Sequence, residues 1–132
     1  NLSETSAHNF FLVIDGKLCT PTDRNVLGGI TKAVIFDLAK QLDVEIVEGN
    51  YTPYDLYNAE EAFLASTSPT FVPVRTVNGA KIGKGAPGPV TVRLIAAWNK
   101  MVGMDIVDQA LSHLDKQERD RLQGLWQRKK AA

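Results

Sequence analysis

The first third of the chain combines apolar runs typical of strands with one stretch of helical periodicity. Residues 10–14 form a continuous apolar run, typical of a buried strand, and Asp15-Gly16 is a hairpin dipeptide. Residues 17–20 are therefore predicted to return as a second strand. An amphipathic helix that starts near Gly28-Gly29 is predicted by apolar residues at helical spacing, namely Ile30, Val34, Ile35, Leu38 and Leu42.

The middle of the chain alternates short strands with one short helix. Residues 43–48 alternate like a half-buried strand, and Thr52-Pro53 is a helix start, with a helix that ends near Asn58. Residues 62–65 are predicted to form a strand. Residues 71–77 are predicted to form another, closed by the hairpin dipeptide Asn78-Gly79, with residues 81–82 pairing back.

The last third is predicted to be helical. Pro89 opens a helix that Gly103 ends, and its predicted apolar face consists of Val90, Leu94, Trp98, Met101 and Val102. Residues 104–132 are predicted to be a helical tail that could dock through Leu122, Leu125 and Trp126 and that frays at residues 128–130. The element order predicts an α/β (α+β) domain at residues 1–103, with a mixed sheet and flanking helices.

Composition narrows the classes of function. Fifteen basic and fifteen acidic residues balance among the 132, which argues against a nucleic-acid partner, and no apolar run is long enough to span a bilayer. The sequence begins without a basic segment followed by an apolar one, so no signal peptide is expected. Cys19 is the only cysteine, and a cytoplasmic location is predicted. No pair of Cys or His residues has ligand spacing, so no metal site is predicted.

Three features could bind an anionic or aromatic ligand, and each also has an ordinary structural interpretation. Gly28-Gly29-Ile30-Thr31 would suit a phosphate at a helix start, or be a plain loop-to-helix junction. Ser66-Thr67-Ser68 could bind a phosphate or a carboxylate, or form a polar turn. Glu4 could hold a proton on a ring nitrogen, or be a solvated surface charge. Taken singly, each feature favours the structural interpretation.

The spacing of these features together resembles one family, the class IV (fold-type IV) pyridoxal-phosphate aminotransferases. The family signature runs from a Glu through an Asn followed by an apolar and an aromatic residue, then an apolar-x-Thr, then an apolar-x-Gly-apolar-x-basic segment. The matching residues here are Glu4, Ser6, Asn9-Phe10-Phe11, Leu18-Cys19-Thr20 and Leu27-Gly28-Gly29-Ile30-Thr31-Lys32. The resemblance covers roughly residues 2–102 and implies the C-terminal large domain of this family.

The resemblance implies a set of roles around pyridoxal 5'-phosphate. Glu4 would pair with the pyridine nitrogen, and Leu27 would pack on the ring face. The helix start at Gly29, Ile30 and Thr31 would bind the phosphate. The hydroxyl of Thr67 would add to that phosphate site, and Ser68 would offer its backbone N–H to the substrate carboxylate.

The resemblance also implies what this chain lacks. The family's lysine, which forms a Schiff base with the cofactor, lies upstream of the signature Glu, as does its phosphate-binding arginine, so no catalytic residue is assigned here. Lys17 and Lys32 do not occupy that position. The expected partners are a missing N-terminal domain, a second copy in a homodimer, and amino acid and 2-oxo acid substrates, with no nucleic acid and no membrane.

Two alternatives to an aminotransferase remain open. One is a lyase of the same family that releases pyruvate from an aminated chorismate. The other is a non-catalytic ligand-binding domain of this fold. Thr5 and Thr70 depart from residues common in relatives on the substrate side, so branched-chain specificity is the family default.

Overall fold

The computed structural model describes residue 2 and residues 8–22, 29–67 and 70–131. The strands in these ranges are β1 Asn9–Ile14, β2 Lys17–Pro21, β3 Ile46–Gly49, β4 Glu61–Ala65, β5 Phe71–Pro73, β6 Thr76–Val77 and β7 Ala80–Lys81. The helices are α1 Ile30–Gln41, α2 Pro53–Asn58, α3 Pro89–Val102, α4 Ile106–Leu111 and α5 Lys116–Ala131. In these ranges no helix is both long and apolar enough to cross a membrane.

Strand β1 lies at the centre of a mixed five-stranded sheet of order β3-β2-β1-β4-β5. Only β2 and β3 are parallel, and the other neighbours are antiparallel. Asn9 is opposite Ala65, and Pro21 is opposite Gly49. The start of β1 and the ends of β2, β3 and β4 therefore all lie at one end of the sheet.

Local sequence signals set several of these elements. Asp15 and Gly16 have φ values of 51° and 72°, the left-handed pair that a tight two-residue hairpin requires, as predicted. The Thr52 hydroxyl accepts the backbone N–H of Asp55, and the Asp55 carboxylate accepts that of Thr52, so a capping box starts α2. Gly103, with φ 71°, ends α3 in the predicted place.

The sheet is covered on both faces, which explains why β1 is apolar from Phe10 to Ile14. Phe11 and Val13 face a core under α1 and α3, where the Phe11 and Phe63 rings stack with centroids 4.9 Å apart. Leu12 and Cys19 face a second cluster that α2 and Ile82 cover. Cys19 is a small buried side chain, 4% exposed.

Three of the five residues of the predicted apolar face of α3 pack against the core, namely Val90, Leu94 and Trp98, whereas Met101 and Val102 are exposed. The buried residues of this helix are Thr91, Val92, Leu94 and Ile95, whereas the Met101 side chain is 53% exposed. Thr91 was not part of the predicted face, yet it is fully buried. Its hydroxyl donates to the buried Glu61 carboxylate of β4.

Two other predicted elements differ from the structure. Residues 71–77 are not one strand, because β5 pairs with β4 in the main sheet whereas β6 pairs with β7 in a separate hairpin. Strand β3 begins only at Ile46, since Asp43 adopts φ 60° and turns the chain after α1.

The tail consists of α4 and α5, and α5 docks on α3 through Trp126, which is 5% exposed. The predicted fraying of residues 128–130 is wrong, because α5 continues to Ala131 and Lys130 Nζ lies 3.4 Å from Asp105 Oδ2. Trp126 Nε1 donates to the same carboxylate. Burial by itself would raise the pKa of Asp105. The Asp108 N–H, the Trp126 N–H and the Lys130 ammonium outweigh it and lower that pKa.

Candidate functional site

In the part of the chain that the structure describes, the topology brings two of the candidate ligand-binding segments to one end of the sheet. Glu4 precedes β1, Gly29 follows β2 and opens α1, and Thr67 follows β4. Since the start of β1 and the ends of β2 and β4 are adjacent, segments far apart in sequence meet there. Glu4, Leu27 and Ser68 themselves lie outside the described residues.

Helix α1 offers main-chain donors at this end. Its N-cap is Gly29, which has no side chain to accept a hydrogen bond, and its first turn contains no acidic residue. The N–H groups of a first helical turn have no carbonyl partner within the helix, and the helix dipole is positive there. Ile30 is 86% exposed, and because its side chain has no polar group, only its main-chain N–H can donate to a ligand. Thr31 is buried.

Helix α3 starts in a contrasting way, because a carboxylate of the protein already occupies its N-terminus. Glu61, 6% exposed, accepts hydrogen bonds from the N–H groups of Val90 and Thr91, both at 2.8 Å. A Cβ atom on Gly88 would lie 2.2 Å from the Cγ of Glu61, so glycine is needed for this close approach. Of these two helix starts, α1 is therefore the one suited to an external anion.

Asn9 links the start of α1 to the sheet. A Cβ atom placed on Gly29 would lie 2.7 Å from Oδ1 of Asn9, so the glycine backbone packs directly against this amide. Asn9 is 8% exposed and pairs across the sheet with Ala65, which immediately precedes the Ser66-Thr67 segment. The sequence indicated Asn9 only as a motif residue, whereas the structure places it between two candidate phosphate-binding segments.

Thr20 has a structural role in the same motif. Its hydroxyl donates to the Phe10 carbonyl at 2.7 Å, and its side chain is buried. This bond joins the end of β2 to the start of β1. It therefore helps to hold together the two strand ends that carry the candidate site.

Lys32, the basic residue that ends the motif, is directed toward β3. Its Nζ lies 3.5 Å from Glu48 Oε1 and 5.5 Å from the centroid of the Phe36 ring. The amine of Lys32 is therefore engaged by an ion pair and by a ring face of this chain. The contacts agree with the interpretation that Lys32 is not the family's covalent lysine.

Thr67 lies in a turn beyond β4 and is exposed, and Ser66 N donates to the Thr70 carbonyl at 3.3 Å. Thr67 and Thr70 also line a cavity of about 830 Å³ whose other walls come mostly from α3, α4 and α5. The Thr67 hydroxyl is therefore accessible at the same end of the sheet as Gly29.

Comparisons with known proteins now identify the class. The family model for class IV amino-transferases matches residues 1–77, and the chain belongs to the class IV aminotransferase family. The resemblance drawn from the motifs is confirmed.

Similar relatives include two kinds of aminotransferase. The chain is 39% identical over 101 residues to the branched-chain-amino-acid aminotransferase of Pseudomonas aeruginosa, covering 76% of this chain and 33% of that protein. It is 36% identical over 94 residues to the D-alanine aminotransferase of Listeria monocytogenes, covering 70% of this chain and 32% of that protein. The chain thus spans about a third of the length of these relatives.

Solved structures agree with the sequence comparisons. The branched-chain amino acid aminotransferase from Escherichia coli superposes with a TM-score of 0.70 at 39% identity, covering 76% of this chain and 34% of that one. The T.th. branched-chain amino acid aminotransferase complexed with N-(5'-phosphopyridoxyl)-L-glutamate superposes with a TM-score of 0.71 at 33% identity, covering 76% of this chain and 34% of that one. The predicted α/β fold of the fold-type IV aminotransferases, with a mixed sheet and flanking helices, is confirmed.

Proposed function

We propose that this chain is the cofactor-binding part of a pyridoxal-phosphate-dependent aminotransferase, which transfers an amino group between an amino acid and a 2-oxo acid. The observation that carries the proposal is the end of the sheet where Asn9, Gly29 and Thr67 converge, in a chain of the class IV family. The cofactor is proposed because the T.th. relative was also solved with pyridoxamine 5'-phosphate.

The residues present fit the phosphate end of such a cofactor. Gly29 leaves space that a Cβ would fill, and the first turn of α1 supplies the N–H groups of Ile30 and Thr31 without a competing acid. The contrast with α3, where Glu61 fills the equivalent place, supports α1 as the anion site. The Thr67 hydroxyl is proposed to complete the phosphate site.

The remaining roles lie outside the described residues and complete the proposal. Glu4 holds a proton on the pyridine nitrogen, Leu27 packs on the ring, and the Ser68 N–H receives the substrate carboxylate. When bound, pyridoxal phosphate supplies a conjugated ring that takes up the electron pair released when the substrate loses its α-proton. A protonated ring nitrogen beside a carboxylate strengthens this electron-accepting property.

A longer protein, or a second chain, is proposed to supply what these residues lack. The relatives are about three times as long as the matched segment, and the lysine expected upstream of Glu4 would come from that additional part. A branched-chain amino acid is the first substrate to test, with a D-amino acid second, because both kinds of enzyme are among the relatives. A homodimer in the cytoplasm is part of the same proposal.

The test uses the full-length protein and the substitution Glu4→Gln. We expect the variant to fold like the wild type. Its turnover with leucine and 2-oxoglutarate should fall at least roughly 100-fold, which is the scale measured when one electrostatic partner of a reacting group is removed. The matched control is Glu45→Gln, which changes an exposed acid in a surface pair with Lys17 at 3.3 Å and should keep wild-type turnover.

Two results would contradict the proposal. Unchanged turnover in Glu4→Gln would mean that this carboxylate does not contact the ring. Absence of transamination by the wild type with every L- or D-amino acid would exclude an aminotransferase, and pyruvate release from an aminated chorismate would then favour the lyase.

A further inference from the structure

We propose that Asn9 is a positioning residue for the cofactor phosphate. Its amide sets how closely the start of α1 approaches the sheet, so that the N–H groups of α1 and the Thr67 hydroxyl converge on one phosphate. The inference rests on the proposed function, and it adds a residue that does not itself have to touch the cofactor.

The position of Asn9 in the sheet is the first argument. Asn9 opens β1 and is opposite Ala65, the last residue of β4, so the turn that carries Thr67 leaves the sheet beside it. On its other side, Asn9 Oδ1 lies 2.7 Å from where a Gly29 Cβ would be. One side chain therefore lies between both described segments of the phosphate site.

The chemistry of Asn9 is the second argument. A buried amide costs free energy unless it is hydrogen-bonded, and an apolar residue would fill this place in a strand without that requirement. The next two buried residues of β1, Phe11 and Leu12, are apolar. A polar side chain at the end of this strand is therefore better explained by its effect on neighbouring backbone than by burial.

Gly29 is the third argument, because it is complementary to Asn9. With any larger residue there, either the amide turns away or the helix start moves outward, since 2.7 Å is too short for a carbon–oxygen contact. The effect of a Gly29 substitution should therefore pass through Asn9. That dependence makes the two positions suitable for a double-mutant cycle.

The experiment measures binding of pyridoxamine 5'-phosphate and of unphosphorylated pyridoxamine to the full-length protein by equilibrium dialysis. Neither ligand needs the covalent lysine, so the readout is independent of turnover. The variants are Asn9→Ala, Gly29→Ala and the double variant. The control is Asn58→Ala, which removes an exposed amide hydrogen bond to the Tyr54 carbonyl of α2.

We expect Asn9→Ala and Gly29→Ala each to weaken binding of the phosphorylated ligand roughly 10- to 100-fold, the effect of one charge-assisted hydrogen bond. Binding of pyridoxamine should change less than about twofold. The double variant should be no weaker than Gly29→Ala, because the small alanine at position 9 removes the clash. Asn58→Ala should bind both ligands like the wild type.

The outcomes separate this inference from the proposed function. If the wild type binds neither ligand, the proposed function fails. If the wild type binds both but Asn9→Ala changes both affinities equally, or lowers only the urea midpoint, Asn9 is a structural residue and the inference is overturned. Additive losses in the double variant would also overturn it.

Discussion

Glu61 gives the sharpest test of how this fold is held together. Its carboxylate is buried at the N-terminus of α3, where Oε1 accepts from Val90 N and Oε2 accepts from Thr91 N and Thr91 Oγ1, at 2.7 to 2.8 Å. In Glu61→Gln, one oxygen becomes an NH₂ group that faces donors. The substitution keeps the volume and removes the charge and at least one acceptor.

The expected cost follows from these contacts. Each hydrogen bond to a charged group contributes about 1.5–3 kcal/mol, and a carboxylate at a partly buried helix N-terminus adds up to about 2 kcal/mol. The desolvation of the buried carboxylate, of several kcal/mol, offsets part of that sum and disappears in the glutamine variant. We therefore expect Glu61→Gln to lower the free energy of unfolding by about 2–3 kcal/mol. Glu61→Ala leaves the donors of Val90 and Thr91 without an acceptor, and each such buried donor costs about 1–3 kcal/mol, so we expect a loss of about 3–5 kcal/mol.

The assay is urea unfolding at pH 7, followed by tryptophan fluorescence and far-ultraviolet circular dichroism. Both probes should give the same midpoint, lowered in the variants with an unchanged m value. The control is Glu45→Gln, in an exposed pair with Lys17, which should change the free energy of unfolding by less than about 0.5 kcal/mol. A Glu61→Gln midpoint equal to that of the control would refute the assignment of Glu61 as the cap of α3.

Two further predictions concern the tail and the core. The folded-state pKa of Asp105 is lowered, so its stabilising effect is complete above the unfolded pKa of about 3.9 and is lost as pH falls through the folded value. Acidification below about pH 4 should therefore release α5 and shift the fluorescence of Trp126. Asp105→Asn should lack this acid transition. The same transition in the variant would contradict the role of Asp105. Phe63→Ala removes a buried ring whose centroid lies 4.9 Å from that of Phe11. It should lower the free energy of unfolding by about 3–5 kcal/mol in the same urea assay. A loss below about 1 kcal/mol would show that this core repacks freely.

Predictions from sequence succeeded where a few adjacent residues carry the whole signal. Asp15-Gly16 forms a hairpin through its own backbone preferences. Thr52-Pro53 starts α2 because the Thr52 hydroxyl caps the helix and the proline ring fixes the first helical φ. The family motif works in the same way, since its residues are spaced along one short stretch. Gly29 was correctly expected at the start of α1 for that reason.

Predictions failed where a distant residue decides the outcome. The periodicity of α3 indicated the side that Leu94 buries, but it gave no sign that Thr91 is also buried, bound to a carboxylate from β4. The charged end of α5 indicated fraying, but Asp105 holds Lys130. Residues 71–77 were predicted as one strand, but β5 pairs with β4 and β6 pairs with β7 in a separate sheet. The partners of Thr91, Lys130 and β5 are remote in sequence, so a local pattern does not contain them.

The sequence by itself determined the strands and helices with strong local signals, the α/β class and the family, because dihedral preferences, periodicity and motif spacing are properties of neighbouring residues. Only the tertiary structure decided that Asn9 packs against Gly29 and that Glu61 fills the start of α3. The physical reason is that hydrogen bonds and close packing act over a few ångströms. Which groups come within that reach depends on the pairing order of the sheet.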